Sequence, residues 1–346
     1  MKVLVAMSGG VDSSVAAALA SQAGNEVVGV TLKLWGGDSD SGCCSVADVE
    51  DARRVADQLG IAHHVFNFVE EFEDRVVGPY VQEHADGRTP NPCIECNRRV
   101  KFGLLLERAV RLGFDALATG HHARIEESGE ARRLMRGADP AKDQSYVLAM
   151  LTRSQLDRLM FPVGAMTKSR VRELASSLGL RTAEKPDSQD VCFIHSAKGR
   201  DGFLASRLPL HRGALVDADS QRVLGTVPAV ELVTPGQRRG LGSTGEGRRL
   251  YALEVDVAGR RILVGGADAA TTRRVEIEAA TWFDRPLAVG RPALAQTSAH
   301  GRAALCRYLD GSIVYDEPQR LVAPGQTVAL YDVREPDAVV GSAVAA

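Results

Sequence analysis

Lysine is nearly absent from the second part of this sequence. All 7 Lys fall before residue 199, whereas 35 Arg run through the whole chain. From residue 199 onward, 18 Arg face 17 acidic residues, so the first 198 residues carry −3 and the rest +1. The shift hints at a domain boundary. Net charge of either sign is also lacking, at −2 overall, so a nucleic-acid partner would need a local basic face. No stretch approaches the roughly 18 apolar residues of a transmembrane helix. The opening MKVLVAMSGG reaches Gly-Gly too soon for a signal-peptide core, and a cytoplasmic protein is expected. Six cysteines in 346 residues are too few for a disulfide-stapled scaffold. There is no internal repeat and no low-complexity segment. What is present is 45% apolar and 25% charged residues, ordinary for a globular chain long enough for two or three domains.

Strand and helix patterns alternate at first. KVLVAM (2–7), EVVGVTLKL (26–34), HHVFNF (63–68) and DALATGHHARI (115–125) read as strands. Helices are expected over 12–22, 46–59 and 100–114, and in a helix-rich stretch from 154 to 185. There Thr167 caps the second helix and Gly179 stops it. This argues for a doubly wound parallel sheet, an α/β domain over 1–198 that takes its ligand at the carboxyl ends of its strands. After residue 198, short strand-like runs such as ALVDADSQRVLG, RLYALEVDVAGRRILVG and QTVALYDV lie between Gly, Pro and Asp. They predict two small β-rich units, 199–270 and 271–346.

The string Ser8-Gly9-Gly10-Val11-Asp12-Ser13-Ser14 follows the first strand and opens a helix. Two glycines let backbone amides approach an anion, and the helix start adds its dipole. Ser8, Ser13 and Ser14 could donate to phosphate oxygens, and Asp12 could hold a divalent ion or cap the helix. The lysine of a P-loop is missing, as is the G-x-G-x-x-G of a dinucleotide fold. The loop reads as a phosphate cradle of another kind.

Cys93 and Cys96 form a C-x-x-C within RTPNPCIECNRRVKF, and Cys192 lies in EKPDSQDVCFI, after a polar loop. Cys96 is expected near a helix N-terminus, where a thiolate is favoured. Three readings stay open: packing residues, a metal or iron–sulfur site, and covalent sulfur chemistry through a thiolate pair or persulfide. Among the other cysteines, Cys43 and Cys44 read as loop or packing residues and Cys306 as core. Asp48 and Asp51 read as helix surface, with a place near the nucleotide as the sharper possibility. Arg-rich stretches at 132–136, 238–239, 248–249, 260–261 and 273–274 could each track an RNA backbone or simply face solvent.

SGGVDSS resembles the pyrophosphate loop of the N-type ATP pyrophosphatases. SGGVDSS, RTPNPCIECN, TGHHARI, KDQSYVL, TKSRVRELA, EKPDSQDVCFI, GQRRGLG and CRY…APGQTV occur here in this order. Together, over nearly the whole chain, they are similar to the tRNA-specific 2-thiouridylases. That resemblance implies ATP-dependent 2-thiolation of the wobble uridine of tRNA. The base oxygen would be adenylated with release of pyrophosphate, and sulfur would then replace AMP at carbon 2. It places ATP on Ala6, Met7, Ser8, Gly9, Gly10, Val11, Asp12 and Ser13, with Leu32 and Gly120. Asn91, Pro92 and Cys93 would surround the target base. His121, Lys142, Asp143, Gln144, Arg307, Tyr308 and Gln326 match tRNA-contact positions. Cys96 matches the nucleophile and Cys192 the persulfide carrier, with a Cys96–Cys192 disulfide as one outcome of turnover. The implied cofactors are ATP and Mg²⁺. The implied partners are tRNAs for Lys, Glu and Gln and a sulfur-donor protein. Many relatives carry Asp where this chain has Cys93, which adds a [4Fe-4S] cluster on Cys93, Cys96 and Cys192 as an alternative sulfur carrier. The middle unit lacks the aromatic-rich lead-in to GQRRGLG found in the family. Another adenylating enzyme with this loop, such as a tRNA lysidine synthetase, is the rival activity; it would need none of the three cysteines.

Overall fold

The computed structural model describes residues 1–35, 45–128, 131–187, 191–194, 198–241 and 249–346. Cys43, Cys44, Ser188, Gln189, Asp190, Gly242 and Arg248 lie outside the described residues.

Strands β1 (Lys2–Ala6), β2 (Glu26–Lys33), β3 (Ala62–Asn67) and β4 (Ala116–Thr119) belong to one sheet. A hairpin, β5 (Ala123–Ser128) and β6 (Ala131–Arg136), stands apart from it. With β7 (Leu159–Met160), the sheet runs in the order β3-β2-β1-β4-β7, with every neighbouring pair parallel. Helix α1 (Val11–Gln22) lies on one face. Its four alanines at 16–18 and 20 are buried and let it approach the sheet and the helix Lys168–Ser177 closely. Helix α2 (Val46–Leu59) begins at Ser45, whose Oγ accepts from the Asp48 amide at 3.1 Å, and ends at a left-handed Gly60. The opposite face carries a core built on Phe72, Phe102, Leu105, Leu117 and Tyr146.

The α/β expectation holds, and the Thr167 cap and Gly179 stop are observed. Several elements differ. Residues 115–125 form two strands, because the chain turns at Gly120–His122 to enter the hairpin. The helix expected from residue 100 already begins at Pro92 and has wide π-type turns over Cys96–Leu105. Leu159 and Met160, expected in a helix, pair with β4 instead. Helical residues 69–85 and the short helix Gly199–Ala205 were not expected. The latter puts Phe203 and Leu204 into the core of the parallel-sheet unit.

The remaining chain is β-rich, as expected. Strands β8 (Gly213–Asp217), β9 (Val223–Val227), β10 (Tyr251–Asp256) and β11 (Arg261–Gly265) form a sheet in the order β10-β11-β8-β9. Strands β12 (Thr271–Trp282), β13 (Pro292–Gln296), β14 (Ala304–Leu309), β15 (Ser312–Arg320), β16 (Thr327–Tyr331) and β17 (Val339–Ala345) close a six-stranded barrel. Cys306 is fully buried there, and burial pushes its thiol up to about 12.

The hairpin fixes the barrel to the sheet unit. Arg133 pairs with Glu335 and Arg124 with Asp337. Arg136 reaches Asp143 and Gln296, and its guanidinium lies 3.8 Å from the centre of the Tyr331 ring. Arg132 donates to the carbonyls of Leu156, Asp157 and Leu159. The 132–136 arginines thus serve internal docking and do not simply face solvent.

His84, 2% exposed beside the Tyr80 ring, carries a pH dependence. Burial, aided by Arg200, lowers its pKa from 6.5 to about 4. Between those values the unfolded chain binds a proton that the folded chain does not. Stability is therefore expected to fall as pH drops from about 6.5 to about 4, by roughly 3 kcal/mol at most from this residue. Urea unfolding at pH 7 and pH 5 would check this. A loss in His84→Phe as large as in the wild type would refute it.

Candidate active site

The strand order reverses between β1 and β4, so a crevice opens at their carboxyl ends. The loop after β1 carries Ser8, Gly9 and Gly10, and the loop after β4 carries Gly120, His121 and His122. Gly9 has φ +73°, and a Cβ there would stand 2.2 Å from the Asp48 carbonyl oxygen. A Cβ on Gly120 would stand 2.6 Å from the Ser13 amide nitrogen. Glycine at these two positions lets α2 and the β4 loop press against the start of α1. That helix has no side-chain cap, in contrast to α2. Its first amides are left for an anion.

The loop hydroxyls do not all face outward. Ser13 and Ser14 both donate to the Gly10 carbonyl, at 3.0 and 2.9 Å, and Ser14 is fully buried. Ser13 Oγ also accepts from the Ser8 amide at 3.1 Å. These two hydroxyls shape the loop, and Ser8 is the exposed one. Met7 is buried under the loop, with its carbonyl accepting from Thr31 at 2.7 Å. Ala6 ends β1 and packs against the core to which Leu32, one residue before the end of β2, belongs.

A charged network surrounds Asp12, and most of it carries no local motif. Lys168 Nζ lies 2.7 Å from both Asp12 carboxylate oxygens and 2.8 Å from Asp187. His122 Nε2 lies 3.1 Å from Asp12. Burial works against the Asp12 charge, but His122 and Lys168 outweigh it and hold the carboxyl below its usual pKa. Asp187 also receives Lys142 and Arg172. Against the burial that would raise it, Lys142 and Lys168 bring it to about 2. Lys185 reaches the Gly9 carbonyl at 3.0 Å, Asp48 at 2.6 Å and Asp51 at 2.7 Å. Asp48 and Asp51 therefore hold a strap across the loop and are not plain helix surface. Lys168, Lys185 and Asp187 were missed as site residues. The sole hint was their place in TKSRVRELA and EKPDSQDVCFI.

The expected RNA positions separate into groups. His121 follows Gly120, with its Nδ1 2.6 Å from Thr119 and its ring against Phe102 and Phe161. Burial, with Lys101 and His122 adding, holds its pKa well below that of a free imidazole. Gln144 accepts from the His122 amide at 2.8 Å. Asp143 is taken up by Arg136, Ser145 and the Gly137 amide. Gln326 donates to the Thr89 carbonyl, and the Thr89 amide donates to Pro324 at 2.7 Å. The barrel thus grips the chain two residues before Asn91. Arg307 is exposed on the barrel wall, and Tyr308 packs edge-on against Trp282.

Asn91 caps the cysteine helix, accepting from the Cys93 and Ile94 amides at 3.0 and 3.3 Å. Pro92 is buried. Cys93, not Cys96, lies in the first turn. Cys93 is exposed, Cys96 buried and Cys192 half-buried. Cys96 belongs to the same core that Cys192 packs against, together with Leu32 from β2 and Leu34 just after it. Phe193 anchors its neighbour Cys192 through rings of Phe72, Tyr80 and Phe203 at 5.1–5.7 Å. Tyr80 faces the other cysteine segment too: burial pushes its hydroxyl up to about 12, with Asp201 and Cys93 adding. Among the described residues, no three His, Cys, Asp or Glu side chains form a group that could hold a metal ion. No helix among the described residues is long and apolar enough to cross a membrane.

Residues 1–196 match a family model described as a tRNA methyl transferase HUP domain, and residues 201–266 one described as a tRNA methyl transferase PRC-barrel domain. The tRNA-specific 2-thiouridylase MnmA of Saccharopolyspora erythraea is 45% identical over 360 residues, covering 100% of this chain and 99% of the relative. Those of Thermobifida fusca and Mycobacteroides abscessus are 44% and 45% identical, over 100% and 99% of this chain and 96% and 99% of theirs. The two sets of names differ, methyl transfer against thiolation. The full-length relatives carry more weight, because they span the barrel as well, whereas the domain models end at residue 266. The loop, the cysteine pair and Cys192 thus stand in a chain that belongs to the tRNA-specific 2-thiouridylase family.

Proposed function

We propose that this chain carries out ATP-dependent 2-thiolation of the wobble uridine in tRNAs for Lys, Glu and Gln, in the cytoplasm. The observation that carries this reading is the uncapped start of α1, held between two obligatory glycines and joined through His121 and Phe102 to the helix of Cys96. The amides of that loop bind the phosphates of ATP. The uracil oxygen attacks the α-phosphate and pyrophosphate leaves. Stabilising this charge with fixed amides lowers the barrier because the donors need no reorganisation. Asn91 shapes the turn that presents Cys93 toward the base. Arg307, Tyr308 and the exposed Arg238 and Arg239 contact the tRNA. Asp12 is the carboxylate that would hold Mg²⁺, and it would have to share its oxygens with Lys168 to do so.

Sulfur arrives as a persulfide on Cys192, loaded by a donor protein. The Cys96 thiolate attacks the Cys192 sulfur, hydrosulfide leaves, and a Cys96–Cys192 disulfide forms. Hydrosulfide then displaces AMP at carbon 2, and a thiol reductant reopens the disulfide. The persulfide route needs Cys96 and Cys192 alone, so no step runs through a [4Fe-4S] cluster.

The test supplies ATP, unmodified tRNA, free lysine and a persulfide source, and follows pyrophosphate, AMP and thiolated base together. All three are expected in equal amounts. Pyrophosphate release with lysine rather than sulfur entering the tRNA would replace this reading by a lysidine synthetase. Cys93→Ala is expected to keep activity within about threefold of wild type, because its thiol takes no part in the persulfide steps. Anaerobically purified protein with stoichiometric iron, lost together with activity in Cys93→Ala, would overturn the persulfide route.

A further inference from the structure

Residues 87–89 lead into the turn of Cys93 and Cys96, and all three units of the chain hold them. In the parallel-sheet unit, the Glu83 carbonyl accepts from the Arg88 amide at 2.8 Å, and the Glu83 carboxylate lies 3.4 Å from Arg88 Nε. The four-stranded sheet meets the segment at Gly87, where φ is +77° and a Cβ would stand 3.3 Å from the Val255 carbonyl oxygen of β10. The Thr89 hydroxyl lies 3.4 Å from that of Thr234, just before the exposed Arg238 and Arg239. The barrel closes the grip. Arg88 donates to Glu278 on β12 and to the Ala345 carbonyl on β17. The Thr89 amide donates to the Pro324 carbonyl, and Gln326 donates back to Thr89. Gly325, between them, has φ +87°, and a Cβ there would stand 3.2 Å from the Thr89 and Pro90 nitrogens.

Asn91 comes two residues after Thr89 and caps the cysteine helix, so a displacement of this segment is passed to Cys93 and Cys96. The Arg88 guanidinium sits at the centre of the joint. Its planar fork meets carboxylates from two units at once. Without it, Glu83 and Glu278 would repel each other across the joint.

We propose that Arg88 is a positioning residue for thiolation: it ties the cysteine turn to the barrel, so that a tRNA docked on the β-rich units meets that turn at a fixed distance. The proposal rests on the thiolation reading above. The side-chain contacts of Arg88 run to Glu83, Glu278 and Ala345, so its contribution is geometric and is made through Asn91. Misplacing a reacting group by about 1 Å costs about 10²-fold in rate. Arg307 and Tyr308, which would bind the tRNA, keep their places when Arg88 is lost. The effect therefore belongs in kcat and not in KM.

Steady-state thiolation by the full-length protein, with ATP, tRNA and a persulfide source, gives kcat and the KM for tRNA. A separate titration gives the dissociation constant of ATP. Arg88→Ala is expected to lower kcat about 10- to 100-fold, with KM and ATP affinity changed less than about threefold. Arg88→Lys is expected to recover part of kcat, since an ammonium keeps the charge but cannot span both carboxylates. Glu278→Gln, at an exposed position, is expected to lower kcat severalfold. Adding it to Arg88→Ala is expected to cost little more, because both cut the same tie. A raised KM with wild-type kcat would overturn the proposal, since Arg88 would then be a tRNA-binding residue. Equal losses in kcat and ATP affinity would overturn it by making the joint a general support of the fold. Independent, multiplying effects of the two substitutions would overturn it too, as would an unchanged kcat. Should Arg88→Ala fail to fold, Arg88→Lys and Glu278→Gln carry the test through the same split between kcat and KM. Wild-type protein that thiolates no tRNA would instead remove the functional reading. That result is distinct from an active wild type whose variants match it.

Discussion

Replacing Cys192 by Ser is expected to lower tRNA thiolation at least about 10³-fold, the scale of losing a covalent group in a multistep site. Serine keeps the size of the side chain, and the Phe193 anchor is untouched, so the fold is expected to stay within about 1 kcal/mol of wild type. What is lost is the atom that carries sulfur. Cys96→Ser is expected to cause a similar loss for a different reason: its hydroxyl cannot open a persulfide at neutral pH. Both variants are expected to keep adenylating, because the loop after β1 and the network around Asp12 contain neither cysteine. Pyrophosphate released on adding ATP and tRNA should therefore stay within a few-fold of wild type while thiolated base disappears. Excess hydrosulfide should partly rescue Cys192→Ser, since hydrosulfide is the species that displaces AMP. Full thiolation by Cys192→Ser without added sulfide would sink the persulfide route.

The second large effect belongs to the glycines. Gly120→Ala would put a methyl group 2.6 Å from one backbone atom and 2.7 Å from another at the start of α1. Backbone cannot swing aside as a side chain can, so the β4 loop and α1 must separate. A shift on the order of 1 Å at such a site costs about 10²-fold in rate, and a comparable fall in ATP affinity is expected. Gly9→Ala combines a left-handed φ with a 2.2 Å approach to the Asp48 carbonyl. It is expected to lower stability by about 2–5 kcal/mol, adding the conformational strain to the overpacking. Thermal unfolding and ATP titration separate the two losses. Wild-type midpoint and affinity in both variants would mean that the close approaches at this loop are not required.

Much of the site was legible in the sequence because it depends on consecutive residues. The loop at 8–14 announces itself by composition, and C-x-x-C after a proline-rich turn does the same. Other parts were not legible, because a side chain's partners are fixed by something distant. Ser13 and Ser14 read as phosphate donors in the sequence, and in the fold both hydroxyls donate to the Gly10 carbonyl. Asp143 looks like part of an RNA-facing triplet until Arg136 and Ser145 enclose it. Strands β13 and β17 went unread because Pro and Ala weaken PALAQ and the Gly-Ser-Ala stretch interrupts the valines of VVGSAVA. Closure of the barrel, which buries them, is what makes them strands.

The sequence by itself determined the parallel-sheet domain and the β-rich remainder, and it marked the loop at 8–14 and the C-x-x-C as candidate site segments, since each follows from short-range periodicity or contiguous motifs. Only the tertiary structure decided that Lys168, Lys185 and Asp187 gather on that loop, that Thr89 is gripped by the barrel, and that Phe193 pins Cys192. Those arrangements join residues more than 100 positions apart. Local propensity has no term for such pairs; burial and charge pairing, available only once the chain has folded, select them.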